Sequence, residues 1–187
     1  MCGISGILNL TDQKIPFLQE NLYKLNSLLH HRGPDNQDTW ISDKAKVGLA
    51  HTRLSIIDLQ KRSNQPMISN TGNVISFNGE IYNYKSLKKE LEQTGENFKT
   101  NSDTEVILRL FDKFGVESFK KLSGIFAICI WDKLKKKIYL VRDTIGIKPI
   151  YYHHNKFENK FIFSSSIKSI LLSLDNQEIN EKAFIFY

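Results

Sequence analysis

The sequence predicts one α+β domain, rich in antiparallel strand pairing and with helices on the outside. Two observations predict this class. Residues 124–131 are continuously apolar, as expected of a central strand that is covered on both faces. Several other segments carry apolar residues at helical spacing, which is typical of amphipathic helices packed on a sheet. A chain of 187 residues, 41% of them hydrophobic, can bury one sizeable core without disulfides or metals.

The first elements follow in order from local patterns. A short apolar strand is predicted at residues 4–10. After Pro16, four leucines recur every three or four positions and indicate an amphipathic helix; they are Leu18, Leu22, Leu25 and Leu29. Residues 32–35 read Arg-Gly-Pro-Asp and interrupt this pattern as a turn-rich loop.

The middle of the chain continues the alternation of strands and helices. Strands are predicted at residues 47–54 and 73–78, and a short helix carries Tyr84, Leu87 and Leu91 on one face. Ser102 and Glu105 have the spacing of a capping box, in which Glu105 reaches back to the start of the helix. The buried stripe expected for that helix is Val106, Ile107, Leu110, Phe111 and Phe114.

Beyond the central strand, further strands are predicted at residues 138–142, 150–153 and 161–164, and a helix at 167–174. The net charge is +6, but the densest lysines, Lys133 and residues 135–137, fall at a solvated hairpin tip. No aromatic residues are interleaved with them, so we expect no nucleic-acid partner. No apolar run is long enough to span a bilayer. Two distant cysteines and no secretory signal indicate a reducing, cytoplasmic location.

Cys2, directly after Met1, is the most informative position. Methionine aminopeptidase normally removes Met1 before a small residue, which would leave Cys2 with a thiol and a free α-amine. The thiolate is the nucleophile, and the α-amine can carry its proton, so both groups would lie on one residue, as in N-terminal threonine hydrolases. Met-Cys alone would favour a chance buried thiol.

Six motifs occur in a fixed order, and the first of them contains this cysteine. They are Cys2-Gly3-Ile4-Ser5-Gly6, His31 to Asp35, His51 to Ile56, Asn78-Gly79-Glu80-Ile81-Tyr82-Asn83, Ser102 to Glu105, and Arg142-Asp143 through Pro149. From Cys2 to about Leu172 the series closely resembles the class II glutamine amidotransferase domain of glutamine-hydrolysing asparagine synthetases. The first and fifth motifs also suit other class II amidotransferases, such as glucosamine-6-phosphate synthase.

The resemblance implies an N-terminal-nucleophile (Ntn) hydrolase fold, a four-layer αββα sandwich with two antiparallel sheets. It implies that Cys2 attacks the side-chain amide of L-glutamine and forms a γ-glutamyl thioester. Asn78, through its side chain, and Gly79, through its backbone N–H, match the oxyanion hole, which needs preorganised donors. Glycine would let the backbone approach the substrate closely. The dipeptide Asn78-Gly79 alone would favour a turn between Phe77 and Ile81.

Other positions match the binding of free glutamine. Arg53 matches the residue that binds the α-carboxylate, beside the apolar Leu54, Ile56 and Ile57; as a lone residue it could instead be a surface cation. Glu80 and Asp103 match positions around the α-amino group, and Asp103 also suits a helix start. No metal ligand set is predicted, and we expect His31 and His51 to be structural.

The resemblance also has limits. Ser166 replaces the glutamate usual in the family, which bears on a contact to a partner rather than on hydrolysis. No pyrophosphate loop is present, so we expect residues 2–187 to form the amidotransferase domain, with Met1 removed and the synthetase domain absent. Hydrolysis would need no cofactor; ATP and Mg would serve a synthetase domain in cis or in trans.

Residues 182–187 suggest a chain cut short, and the apolar residues 183–187 suggest a contact with that partner. A homodimer is left open. The alternatives are a non-catalytic remnant or partner-binding subunit of a synthetase, or the glutaminase domain of another class II amidotransferase.

Overall fold

A computed structural model describes residues 1–174, so the proposed contact through residues 183–187 lies outside the described residues. In chain order the elements are β1 (Gly3–Asn9), α1 (Leu18–Leu29), β2 (Asn36–Ile41), β3 (Val47–Arg53), β4 (Met67–Ile68), β5 (Val74–Ile81), α2 (Tyr84–Gln93), α3 (Asp103–Phe114), β6 (Gly124–Asp132), β7 (Lys137–Arg142), β8 (Tyr151–Asn155), β9 (Lys160–Ser164) and α4 (Ile167–Leu171). Within residues 1–174, no helix has the length and apolar character that crossing a bilayer requires.

The strands form two sheets, and all their pairings are antiparallel. The first sheet has the order β2-β3-β1-β9-β8, and the second has the order β4-β5-β6-β7. The apolar segment 124–131 forms β6, which lies between β5 and β7 as predicted. Strand β1 is likewise central in the first sheet, and Cys2 directly precedes this buried strand.

Three apolar clusters define four layers. Between the sheets, Ile4 and Leu49 pack against Val74 and Trp131. Helix α1 and Ile170 of α4 cover the outer face of the first sheet. Helices α2 and α3 cover the outer face of the second sheet. This is the αββα arrangement that the resemblance implied.

Two local predictions are wrong, and strand β2 was missed. Strand β2, Asn-Gln-Asp-Thr-Trp-Ile, was not expected, because an edge strand with half-exposed polar residues lacks an apolar pattern. Phe114 is 38% exposed rather than buried, and Lys113 and Lys121 lie over its ring. Ser102 caps α3 as predicted, accepting from Glu105 N–H at 3.3 Å. The Glu105 carboxylate, however, accepts from residues 99 and 100 instead of reaching back to Ser102.

Candidate active site

The sandwich carries clefts at both ends of its strands. The larger, of about 580 Å³, lies where β1 and β6 end and is lined by Leu8, Trp131, Leu140 and several lysines. The smaller, of about 120 Å³, lies where β1 begins and β3 ends, and it contains Cys2. The described lining of the larger cleft includes no cysteine, so thiol chemistry belongs to the smaller cleft despite its size.

All nine residues predicted for the site line this smaller cleft. They are Cys2, Arg53, Leu54, Ile56, Ile57, Asn78, Gly79, Glu80 and Asp103. Strand alternation explains part of this convergence, because every second residue of β3 from Val47 to Arg53 faces the second sheet. The inward row ends at Arg53, beside the strand that carries Asn78.

The thiol of Cys2 is half-buried at the wall of the cleft, whereas Cys129 is fully buried in the core. Leu54 N–H approaches Cys2 Sγ at 3.4 Å, and Arg32 Nε donates to the Cys2 carbonyl at 3.1 Å. Burial raises the pKa of the Cys2 thiol, although the contact with Leu54 and the charge of Arg53 oppose that rise. The thiol therefore needs a base to become a nucleophile at neutral pH.

Asn78 and Gly79 lie inside strand β5 and pair with Ala127 and Phe126 of β6. The alternative of an Asn-Gly turn is wrong, because β5 extends to Ile81. Asn78 is 1% exposed, and its Nδ2 has no hydrogen-bond partner among the described residues. Leaving a buried donor unpaired costs free energy, so an acceptor that reached this Nδ2 would relieve that cost.

The backbone of Gly79 faces the cleft along a free strand edge. Alternate N–H groups of an antiparallel strand point to the same side. On the side of β5 away from β6, Phe77 N–H donates to Gln65 Oε1 at 2.7 Å and Ile81 N–H donates to Asp103 Oδ2 at 3.2 Å. Gly79 lies between them, so its N–H faces the same edge. Strand β4 pairs only with the first residues of β5, so it does not cover this position.

The reason for glycine at position 79 differs from the expected one. A Cβ atom there would lie 2.2 Å from the Ile125 carbonyl oxygen and 2.6 Å from Phe126 Cα. The obstacle is the neighbouring strand β6, and no contact with substrate needs to be invoked. Glycine is therefore required for the pairing of β5 with β6.

Arg53 is a buried residue that holds the following loop, so it is not a surface cation. Its Nη1 donates to Gln60 O at 3.1 Å and to Asn64 Oδ1 at 2.7 Å. Its Nη2 donates to Ile57 O at 3.4 Å and to Asp58 O. All four Nη protons are thus engaged, and a ligand carboxylate would have to replace one or more of these acceptors.

Glu80 and Asp103 place two carboxylates at the cleft. Glu80 is exposed, whereas Asp103 is 5% exposed at the first residue of α3. Burial raises the pKa of Asp103 to about 6, although the Ile81 N–H opposes the rise, and the charge of Glu80 adds to it. The pair would attract a cation, and Asp103 is still mostly ionised at pH 7. Both suggested roles of Asp103, helix start and site residue, are compatible.

His51 has a structural role, as predicted. It is fully buried between the sheets, and its Nε2 lies 3.0 Å from the Phe77 carbonyl. Burial lowers the pKa of His51 to about 4, so the ring is neutral and donates from Nε2. His31 lies on an exposed turn away from it. Nowhere in residues 1–174 do three His, Cys, Asp or Glu side chains gather as a metal ion would require.

Sequence reasoning missed several residues that line the cleft. They are Met1, Ser63, Gln65, Phe77, Ser102, Thr104 and Lys148. Lys148 lies in a loop that Asp143 holds in place, because the Asp143 carboxylate accepts from the N–H groups of Phe126, Ile147 and Lys148. Burial would raise the pKa of Asp143, but these hydrogen bonds lower it to about 2. The motif from Arg142 to Pro149 pointed to this loop without identifying its function.

The fold is of the Ntn-hydrolase type, and a cysteine that directly precedes a central strand lines the same cleft as a residue with a buried, unpaired amide donor. The family model described as "Glutamine amidotransferase domain" matches residues 1–187, and the chain belongs to this family. It is 39% identical over 199 residues to the putative glutamine-hydrolyzing asparagine synthetase 2 of Methanocaldococcus jannaschii. It is 43% identical over 172 residues to glutamine-hydrolyzing asparagine synthetase 2 of Bacillus subtilis.

The resemblance drawn from the motifs is thus confirmed. These matches cover 97% and 91% of this chain but only 36% and 22% of the two relatives, so the chain spans about a third or less of their length. Glutamine phosphoribosylpyrophosphate amidotransferase from B. subtilis, solved with ADP and GMP, superposes with a TM-score of 0.73 at 22% identity. That match covers 90% of this chain and 43% of the solved chain, and it confirms the fold.

Proposed function

We propose that this chain hydrolyses the side-chain amide of L-glutamine to L-glutamate and ammonia. The observation that carries the proposal is that Cys2 and Asn78, whose Nδ2 has no partner among the described residues, line one cleft. A nucleophile beside a buried, unpaired donor is the arrangement that acyl transfer requires, since attack on an amide creates an oxyanion.

Removal of Met1 would give Cys2 a free α-amine, which takes the thiol proton as Sγ attacks the amide carbon. The carbonyl electrons move to oxygen, where Asn78 Nδ2–H and Gly79 N–H stabilise the negative charge. Collapse of this intermediate breaks the C–N bond, and the α-ammonium returns its proton to the leaving nitrogen as ammonia. Water then attacks the Cys2 thioester, releases glutamate and restores the thiol. No cofactor takes part in these steps.

The rest of the substrate would contact the residues around the nucleophile. The α-ammonium fits the carboxylates of Asp103 and Glu80. The α-carboxylate fits Arg53, displacing loop acceptors such as Asn64 Oδ1. Leu54, Ile56 and Ile57 offer an apolar wall for the two methylene groups. Because the pocket binds both ends of a free amino acid, we expect asparagine, one methylene shorter, to be a poorer substrate.

Ammonia released here would be used by a synthetase domain, in cis or in trans, that amidates aspartate with ATP and Mg²⁺. The names of the relatives support this partner, and so do large apolar side chains exposed near the cleft. Ile56 lines the cleft, and the exposed Ile145 and Ile147 come shortly before Lys148, which also lines it. We propose a cytoplasmic location, because a thiol nucleophile must stay reduced.

The proposal is tested by following glutamate and ammonia after L-glutamine is added to the Met1-free chain. Turnover by the native chain and none by Cys2→Ala is the expected result. Ammonia release that survives in Cys2→Ala would overturn the assignment. With aspartate and ATP–Mg²⁺ also supplied, the chain alone should form no asparagine, and an added synthetase domain should restore some transfer.

A further inference from the structure

On the edge of β5 that faces away from β6, side chains accept hydrogen bonds from the backbone on both sides of Gly79. Phe77 N–H donates to Gln65 Oε1 at 2.7 Å, and Ile81 N–H donates to Asp103 Oδ2 at 3.2 Å. Strand β4 does not extend along this part of β5. The backbone N–H groups on this edge therefore donate to side chains rather than to a neighbouring strand. The Gly79 N–H between them is left facing the cleft.

Gln65 makes use of both ends of its amide. It is 5% exposed, and while Oε1 accepts from Phe77, its Nε2 donates to Thr104 Oγ1 at 3.2 Å. Thr104 directly follows Asp103 in helix α3. One buried side chain therefore connects the strand that carries Asn78 to the helix start that carries Asp103.

The Phe77 backbone is held at its other polar group as well. Its carbonyl lies 3.0 Å from His51 Nε2. Gln65 and His51, which come from two different segments, therefore hold both backbone polar groups of this one residue. Asn78, the next residue, has its Nδ2 unpaired. Asn78 is held in place through the backbone of Phe77, because a hydrogen-bond partner on Asn78 Nδ2 itself would compete with the oxyanion.

We propose that Gln65 is a positioning residue for glutamine hydrolysis. Through Phe77 it fixes the two oxyanion donors, Asn78 Nδ2 and Gly79 N–H, and through Thr104 it fixes the carboxylate of Asp103. The inference rests on the proposed glutaminase function. A misplacement of about 1 Å in such donors can cost about a hundredfold in rate, so one lost hydrogen bond has a measurable effect.

Different variants separate the effects of the two Gln65 hydrogen bonds. Gln65→Leu removes both, and we expect kcat for glutamine to fall at least tenfold, together with a rise in KM. Gln65→Glu keeps an oxygen that accepts from Phe77 N–H, and its kcat should recover to within about threefold of native. Thr104→Val removes only the second bond, so KM should rise several-fold with little loss in kcat.

Ser118→Ala is the matched control. Ser118 is 1% exposed and donates to Gly115 O at 2.6 Å, on a turn that does not line the cleft. Loss of this buried hydrogen bond should lower stability and leave kcat and KM unchanged. If Gln65→Leu behaves like Ser118→Ala, or if Gln65→Glu loses as much kcat as Gln65→Leu, the positioning role is wrong.

Hydrogen exchange separates this inference from the proposed function. We expect the Phe77 amide to lose protection in Gln65→Leu and to keep it in both Gln65→Glu and Ser118→Ala. If the native chain does not hydrolyse glutamine, the proposed function fails, and the exchange result still decides whether Gln65 holds the edge. Unchanged protection of Phe77 in Gln65→Leu would overturn the inference.

Discussion

The thiol of Cys2 lies against the backbone of Leu54, 3.4 Å from its nitrogen and 3.7 Å from its carbonyl oxygen. Leu54 is the first residue after strand β3 and directly follows Arg53. The start of β1 and the end of β3 therefore hold the nucleophile beside the arginine. The N–H of Leu54 favours the thiolate and the carbonyl favours the thiol, so this contact accommodates both protonation states of the cysteine.

Asn78→Ala should reduce the rate of glutamine hydrolysis by roughly two orders of magnitude, equivalent to about 3 kcal/mol of transition-state stabilisation. The physical reason is loss of the unpartnered Nδ2 donor. Steady-state release of glutamate measures the effect, which should appear in kcat more than in KM. Asn78→Asp, which keeps the shape and loses the donor, should fall as far; near-native turnover by either variant would rule out Asn78 as an oxyanion donor.

Gly79→Ala should destabilise the fold, because its Cβ would lie 2.2 Å from the Ile125 carbonyl oxygen. Overpacking of this kind costs about 3 kcal/mol, or roughly 10 °C in Tm for a domain of this size. Thermal unfolding followed by circular dichroism measures it. Gly95→Ala is the control, since Gly95 has φ +92° and no atom within 4 Å of an added Cβ. A larger loss for Gly95→Ala would contradict the strand-pairing explanation.

Asp103→Asn should stabilise the fold at neutral pH. Burial raises the pKa of Asp103 from 3.8 to about 6, so its charged form destabilises the folded state. The stability lost by ionisation is recovered as the pH falls from about 6 to 3.8. The variant should exceed native by about 3 kcal/mol at pH 7 and match it below pH 4. Urea unfolding at several pH values measures the difference, and a pH-independent difference would argue against a raised pKa.

Arg53→Lys should raise KM for glutamine by tenfold or more, because an ammonium cannot reproduce the planar fork of a guanidinium. The same change should loosen the loop whose acceptors include Gln60 O and Asn64 Oδ1. Kinetics and hydrogen exchange of residues 54–64 measure the two effects. Arg62→Lys, in the same loop but half-exposed and paired with Asp58, should change neither; an equal rise in KM for both would mean that general loop disorder is responsible.

The sequence predicted what depends on local pattern. Strand β6 was visible because a central strand is apolar throughout, and α1 because its leucines follow the helical period. Strand β2 was missed because an edge strand tolerates Asn36, Gln37 and Asp38. Phe114 was wrongly predicted to be buried, because the apolar stripe of α3 ends where the last turn of the helix meets solvent.

The candidate site was predicted to a similar degree. Nine of the residues that line the cleft were predicted, and all of them except Ile57 lie within the six motifs. Gln65 was missed because its partners, Phe77 and Thr104, lie 12 and 39 residues away, and no local spacing marks such a contact. The engagement of Arg53 with its own loop is equally invisible in sequence.

The most direct test of the account is a mass measurement after reaction with a glutamine-like electrophile. The chain has two cysteines, and Cys129 is fully buried with its pKa raised by that burial. We expect the Met1-free chain to gain one equivalent of reagent on Cys2, with protection by L-glutamine. The chain that retains Met1, whose amine is no longer on Cys2, should react far more slowly. Equal labelling of Cys129, or labelling that L-glutamine does not slow, would contradict a glutamine site built around Cys2.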